Sequence, residues 1–335
     1  MLILAGDIGG TKTALQLAEV EEGGSVRPLA ERRYESAQYP DLELIVEDFL
    51  TGEGAARNPP TTACFAVAGP VRGQRARITN LPWTLDAELM QQRLGIANVM
   101  LINDFQGVGY GVPALGPEGV LVLQGGEPVP GGTRALLGAG TGLGQALLVW
   151  TGERYRVLGT EGGHVDFAPR DAVELELLEY LLRSHHRVSY ETLLSGRGLV
   201  RIYEFLRDSG RGKPGTDLAR ALPGGDPAAI ISEHALTGRD PLALQALQRF
   251  VSIYGAQAGN LALNCLPTGG LYIGGGIAPK ILPALDDGRF MEAFRAKSPM
   301  AEVLASIPVS VVLDERVGLL GAREVAKQLV ELPYP

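Results

Sequence analysis

Cysteine is nearly absent from this chain: there are two, Cys64 and Cys265, both in apolar surroundings. That excludes a disulfide framework and a zinc cluster, and it fits buried thiols in a reducing compartment. Basic residues are also short, 30 against 38 acidic, for a net charge of −8. A generally basic nucleic-acid binder is thereby excluded, though a local patch is not. No uninterrupted apolar run approaches the roughly 18–20 residues of a membrane span. Residues 1–18 begin apolar, but Asp7 and Lys12 interrupt them and no cleavage-site pattern follows, so no signal peptide is expected. There is no low-complexity tail. With 45% apolar and 20% charged residues the composition is that of a globular protein, expected to be soluble and cytoplasmic.

What the chain has in quantity is glycine, 45 of its 335 residues, much of it clustered in short loops. The length suggests roughly two domains. Leu2–Ala5 reads as a strand, Gly6–Gly10 as a turn and Thr13–Ala18 as a second strand. Leu42, Ile45, Val46, Phe49 and Leu50 have helical spacing after Asp41. Thr61–Val67 and Val99–Ile102 are buried-type strands. Asp86–Leu94 is a helix capped by Asp86 and stopped by Gly95. The Gly- and Pro-rich stretch 107–132 reads as a loop with a domain boundary near its start. Arg134–Gly138, a glycine turn at 139–144 and Gln145–Trp150 then repeat the opening strand, turn and strand. This is a weak internal duplication, or simply two hairpins that look alike. Beyond Asp171 the chain is largely helical, with a surface loop over 209–226. Leu271–Ile273 is a further strand running into Gly274-Gly275-Gly276. The class is α/β.

Five features could carry chemistry. The turn Asp7-Ile8-Gly9-Gly10-Thr11 exposes backbone N–H groups to a phosphate, with a Thr hydroxyl beside them. Asp7 could hold Mg²⁺ through water. A tight hairpin accounts for the same residues. Neither glycine turn fits a P-loop or opens a βαβ unit with a ribose-binding acid. Asn103-Asp104 follows a strand, where polar residues face ligand crevices, and Asp104 could accept a hydroxyl proton or merely cap a helix. Glu161 and His164, three residues apart, could grip neighbouring hydroxyls of a polyol or form a polar turn. Glu191 could be no more than a dipole partner in a helix's first turn. The run Gly274–Gly276 leaves room for a flat ring against bare backbone, or is a flexible turn.

In combination and order these features are far more specific. Gly6-Asp-Ile-Gly-Gly-Thr11, Ala68-Gly-Pro70, Thr79-Asn-Leu-Pro-Trp83, Ile102-Asn-Asp-Phe105, Leu137-Gly-Ala-Gly-Thr-Gly-Leu-Gly144, Glu161-Gly-Gly-His-Val-Asp-Phe-Ala-Pro169, Leu194-Ser-Gly-Arg-Gly-Leu-Val200 and Tyr272-Ile-Gly-Gly-Gly-Ile277 span nearly the whole chain. In this the chain resembles the bacterial glucokinases, the non-ROK branch of the hexokinase, actin and heat-shock ATPase superfamily. The resemblance implies a two-domain ribonuclease-H-like α/β fold with a cleft between a small and a large domain. The small domain would be 1–112 plus a C-terminal helix at about 316–335, and the large one 113–315. It implies ATP-dependent phosphorylation of D-glucose to glucose 6-phosphate, the first step of glycolysis. Asp104 would be the base for the 6-hydroxyl, Asn103 would bind neighbouring hydroxyls, and Glu161, His164 and Glu191 would hold the anomeric end. Gly6, Asp7, Ile8, Gly9, Gly10 and Thr11 would form one ATP-phosphate loop and Gly140, Thr141 and Gly142 the second. Gly274, Gly275 and Gly276 would lie near adenosine.

The cofactor expectation is ATP with Mg²⁺ and no zinc, since the cysteine cluster of the ROK branch has no counterpart near His164. Lys12 receives no role. No nucleic acid or membrane partner is expected, and a homodimer is implied only by resemblance. The alternatives are a kinase for another hexose, a polyphosphate-dependent glucokinase, a chaperone-type ATPase, or a non-catalytic sugar sensor. The sensor would need a DNA-binding module for which the N-terminus leaves no room.

Overall fold

Residues 1–55 and 57–331 are described by a computed structural model. The chain divides into two compact units, Met1–Pro117 joined by the C-terminal stretch from Asp314, and Glu118–Leu313.

In the first unit, five strands form one sheet: β1 (Leu2–Ile8), β2 (Lys12–Val20), β3 (Val26–Glu35), β4 (Thr62–Val67) and β5 (Asn98–Asn103), in the order β3-β2-β1-β4-β5. β1 and β2 are an antiparallel hairpin, whereas β1, β4 and β5 run parallel. All six residues of β4 are buried, as expected for a strand covered on both faces. Alternate residues serve alternate faces. Leu4, Ile8, Ala63, Phe65 and Val67 pack with the helix Leu42–Gly52, while Ile3, Ala5, Cys64 and Ala66 pack with the C-terminal helix Val317–Glu331.

β1 runs further than its apolar start suggests, through Gly6 and Asp7 to Ile8. Gly6 is a packing residue of the sheet: a Cβ there would lie 2.6 Å from the Phe65 ring. The stretch after β5 is not a loop but the helix Asp104–Gly111. Its glycines are poor helix formers in isolation, yet they let it press against the C-terminal helix. A Cβ on Gly111 would stand 2.0 Å from the Val317 carbonyl oxygen, and one on Gly321 would stand 1.8 Å from that of Gly107. The contact admits nothing but backbone.

The second unit holds a six-stranded sheet of β6 (Val120–Gln124), β7 (Arg134–Ala139), β8 (Leu143–Trp150), β9 (Tyr155–Thr160), β10 (Leu271–Gly274) and β11 (Val309–Val312), ordered β9-β8-β7-β10-β11-β6. Its antiparallel meander β7-β8-β9 and parallel neighbours β10 and β11 reproduce the pattern of the first sheet, with β6 added antiparallel at one edge. The repeat is therefore structural as well as sequential. The buried helix Pro241–Cys265 anchors this unit's core, with Phe250, Tyr254 and Phe290 stacked edge to face. Within 209–226 a short helix, Thr216–Ala221, is seated by buried Leu218 where a loop was expected.

Candidate active site

Each unit holds its own set of candidate groups, set on strand ends, turns and helix starts.

In the first unit, Asp7 lies inside β1, paired with Ala14 and Ala66. Its carboxylate rests against Gly318, where a Cβ would be 2.9 Å from Oδ2. Burial, reinforced by the charge of Asp104 and opposed by Arg33, pushes its pKa up to about 6. Of the stretch Gly6–Thr11, only Gly9, Gly10 and Thr11 form the turn, since Gly6, Asp7 and Ile8 belong to β1. Ile8 has its side chain fully in the core, leaving only backbone to offer a ligand. The turn is tied down by Gly9 N–H to the Lys12 carbonyl (2.9 Å) and Ser36 Oγ to the Gly9 carbonyl (3.0 Å).

Asn103, not Asp104, caps the helix Asp104–Gly111. Its Oδ1 accepts from Phe105 N–H (3.0 Å), and Gln106 returns the bond to the Asn103 backbone (3.1 Å). Asn103 Nδ2 also donates to the Gly69 carbonyl (3.0 Å). Asp104 shares the Phe105 N–H (2.8 Å to its Oδ1) and reaches solvent. Crowding by protein raises its pKa, against the stabilising Phe105 N–H bond and Asn103. Solvent access limits that rise through screening. No cation pairs with Asp104 among the described residues, so the carboxylate is open to accept a proton.

In the second unit, His164 stands between two carboxylates. Its Nε2 is 3.9 Å from Glu161 Oε2 and its Nδ1 is 3.8 Å from Glu191 Oε1. All three side chains reach solvent, Glu161 most of all. Too far apart to bond one another, they leave room for hydroxyls. Glu191 opens the single-turn helix Tyr190–Leu193, whose start is fixed by a Ser189–Thr192 capping box. Its Oε2 accepts from Leu143 N–H at 3.0 Å.

The turn Gly140-Thr141-Gly142 links β7 to β8 and closes on itself through Gly140 N–H to the Gly142 carbonyl (2.8 Å). Beside it, the strand pairing sets Gly138 against Gly274. Gly275 adopts φ of +81°, and a Cβ there would be 2.5 Å from the Ala139 carbonyl oxygen. The two glycine runs of this unit therefore form one surface of bare backbone. Ala139 is held from beneath by Tyr254, whose hydroxyl accepts from Ala139 N–H (3.0 Å) and donates to the Leu137 carbonyl. Burial keeps that phenol protonated, with its pKa pushed up.

Several supporting residues have no mark in the sequence. Arg187 donates to the His164 carbonyl and to Asp166, each at 2.5 Å, and so fixes the backbone that carries His164. Gln145 packs beneath Gly162: a Cβ there would collide with its Oε1 at 2.2 Å. Tyr254 is equally unmarked, and Leu143, although inside the 137–144 motif, carries no sign of its bond to Glu191. Their partners lie tens of residues away, and only the fold joins them.

Among known proteins, the Glucokinase family profile matches residues 4–329. A glucokinase of Nostoc punctiforme is 47% identical over 98% of this chain and 99% of its own length. One from Nostoc sp. is 46% identical with the same coverage. Among solved structures, a glucokinase from an Antarctic psychrotroph superposes with a TM-score of 0.85 at 30% identity, covering 98% of this chain and 99% of that one.

Proposed function

The chain belongs to the glucokinase family, and on that premise we propose how its residues divide the work of phosphorylating a sugar. The reaction is the ATP-dependent conversion of D-glucose to glucose 6-phosphate. Asp104 takes the proton of the sugar 6-hydroxyl as the hydroxyl oxygen attacks the γ-phosphorus, the bond from the γ-phosphorus to the β-phosphate oxygen breaks, and ADP leaves. Asn103 has an N–H and a lone pair beyond its capping bonds, and these bind adjacent hydroxyls. Glu161, His164 and Glu191 hold the anomeric end. The turns Gly9–Thr11 and Gly140–Gly142 hold the phosphates through the amides of Gly10, Thr11, Thr141 and Gly142, since the Gly9 and Gly140 N–H groups close the turns themselves, and Gly274–Gly276 lie near the adenosine. Phosphoryl transfer depends mainly on positioning and charge stabilisation, so one carboxylate base suffices.

Asp7 suits a hydrated Mg²⁺: it is a largely buried carboxylate whose raised pKa marks negative charge without a close counter-ion. When bound, the ion would supply charge neutralisation for the triphosphate.

The observation that carries this reading is Asp104 itself, a solvent-reaching carboxylate with no cation partner among the described residues, directly after a parallel strand. A coupled ADP-release assay across a hexose panel, with ATP and polyphosphate as separate donors, tests it. Glucose with ATP should be the best pair. Faster turnover of another hexose, or of polyphosphate, would reassign the substrate or donor.

A further inference from the structure

The two oxygens of Glu191 face different parts of the site, and among the described residues only Oε2 is hydrogen-bonded to the protein. Oε1 looks toward His164 Nδ1, 3.8 Å away, on the side read above as holding the sugar. Oε2 accepts the Leu143 amide proton at 3.0 Å, immediately after the glycine turn 140–142. The fit on that side is close, because a Cβ on Gly142 would stand 2.6 Å from Oε2. A second tie runs parallel to it: Gly196 N–H donates to the Gly140 carbonyl (3.0 Å), and Ser195 Oγ donates to the Glu191 carbonyl (3.0 Å). The segment 191–196 thus grips both ends of the turn.

We propose that Glu191 couples sugar occupancy to nucleotide affinity, one carboxylate oxygen serving the sugar and the other ordering the phosphate turn. This rests on the reading of Glu191 as a sugar contact. A hydroxyl donating to Oε1 fixes the side-chain torsions and so holds Oε2 on the Leu143 amide. The turn is short, glycine-built and solvent-facing, and such backbone has much freedom to lose. A nucleotide meeting a turn already ordered by sugar gives up less entropy and binds more tightly. Linkage makes the effect reciprocal: nucleotide must tighten sugar by the same factor.

The test measures ADP binding with Mg²⁺, with and without saturating glucose, by calorimetry. ADP is chosen because it lacks the γ-phosphate that would touch the sugar directly. In the wild type, glucose should tighten ADP at least ~5-fold, the lower edge of ordinary allosteric coupling. In Glu191→Gln the factor should fall below about 2. The second variant approaches from the other side. Gly142→Ala lies in the phosphate turn, yet it should weaken glucose at least ~5-fold with no nucleotide present, because its methyl displaces Oε2. A coupling factor unchanged in Glu191→Gln overturns the proposal, as does wild-type glucose affinity in Gly142→Ala. If Glu191→Gln binds glucose alone as tightly as the wild type, the sugar-contact reading itself falls and takes the coupling with it.

Discussion

Asp7 carries the clearest pH signature in the chain. Its pKa rises from 3.8 to about 6 on folding, so the folded state holds the proton more tightly than the unfolded state. Its own contribution to stability is therefore most favourable below about pH 4, declines as pH climbs toward 6, and carries the full penalty above that. At ~1.4 kcal/mol per unit, the cost near neutrality is on the order of 2–3 kcal/mol. Asp7→Asn should raise the urea-unfolding free energy at pH 7.5 by that amount without Mg²⁺ or nucleotide, and by almost nothing at pH 4. Equal stabilities at both pH values would show that the carboxylate is not under this strain. The same substitution should abolish Mg²⁺-dependent turnover. At the sugar end, groups built to pair with hydroxyls reject analogues that lack them, at ~1–3 kcal/mol per lost partner. Hence kcat/KM should be much lower for 1-deoxyglucose than for glucose. His164→Ala should raise KM for glucose more than KM for ATP. N-acetylglucosamine outperforming glucose would overturn the substrate assignment while leaving a sugar kinase. These residues were readable in advance because each sits in a motif. Arg187, Gln145 and Tyr254 were not, because single long-range contacts leave no periodicity to detect.

At the level of elements, apolar periodicity recovered most strands and the capped helices, including Asp86 at the start of one helix and Gly95 at its end. It failed where glycine does opposite jobs. In Gly9-Gly10 glycine makes a turn. In Gly6 it makes room for Phe65 within a strand, in Gly107, Gly111 and Gly321 it makes room for a helix crossing, and in Gly318 it makes room for the Asp7 carboxylate. Propensity assigns Gly107 and Gly111 to a loop, whereas Gly318 and Gly321 fall in a C-terminal helix that the sequence already indicates. The crossing matters for chemistry because the helix Asp104–Gly111 begins with the proposed base. Gly321→Ala should force the two helices apart at a cost of ~1–3 kcal/mol or more, read as a lower thermal midpoint. It should also lower kcat, by shifting Asp104. An alanine there with wild-type stability would mean the helices have slack that the 1.8 Å approach denies.

For the molecule as a whole, the repeated strand order explains why two glycine turns recur about 130 residues apart in the sequence. Each joins the two strands of the antiparallel hairpin with which the repeated pattern begins. The division into units was harder to read, because the final helix returns to the first unit and no local composition shift marks that return. The proposed base belongs to one unit, and the anomeric-end residues to the other. The proposed roles are thus spread over distant stretches of chain, and the account stands or falls on what Asp104 does. The direct measurement is glucose-dependent ADP release by purified Asp104→Asn beside the wild type, with glucose affinity measured separately. General-base removal should lower kcat by ~10²–10⁴-fold while glucose still binds. Turnover near that of the wild type would contradict the account and leave Asp104 as an ordinary first-turn residue of its helix.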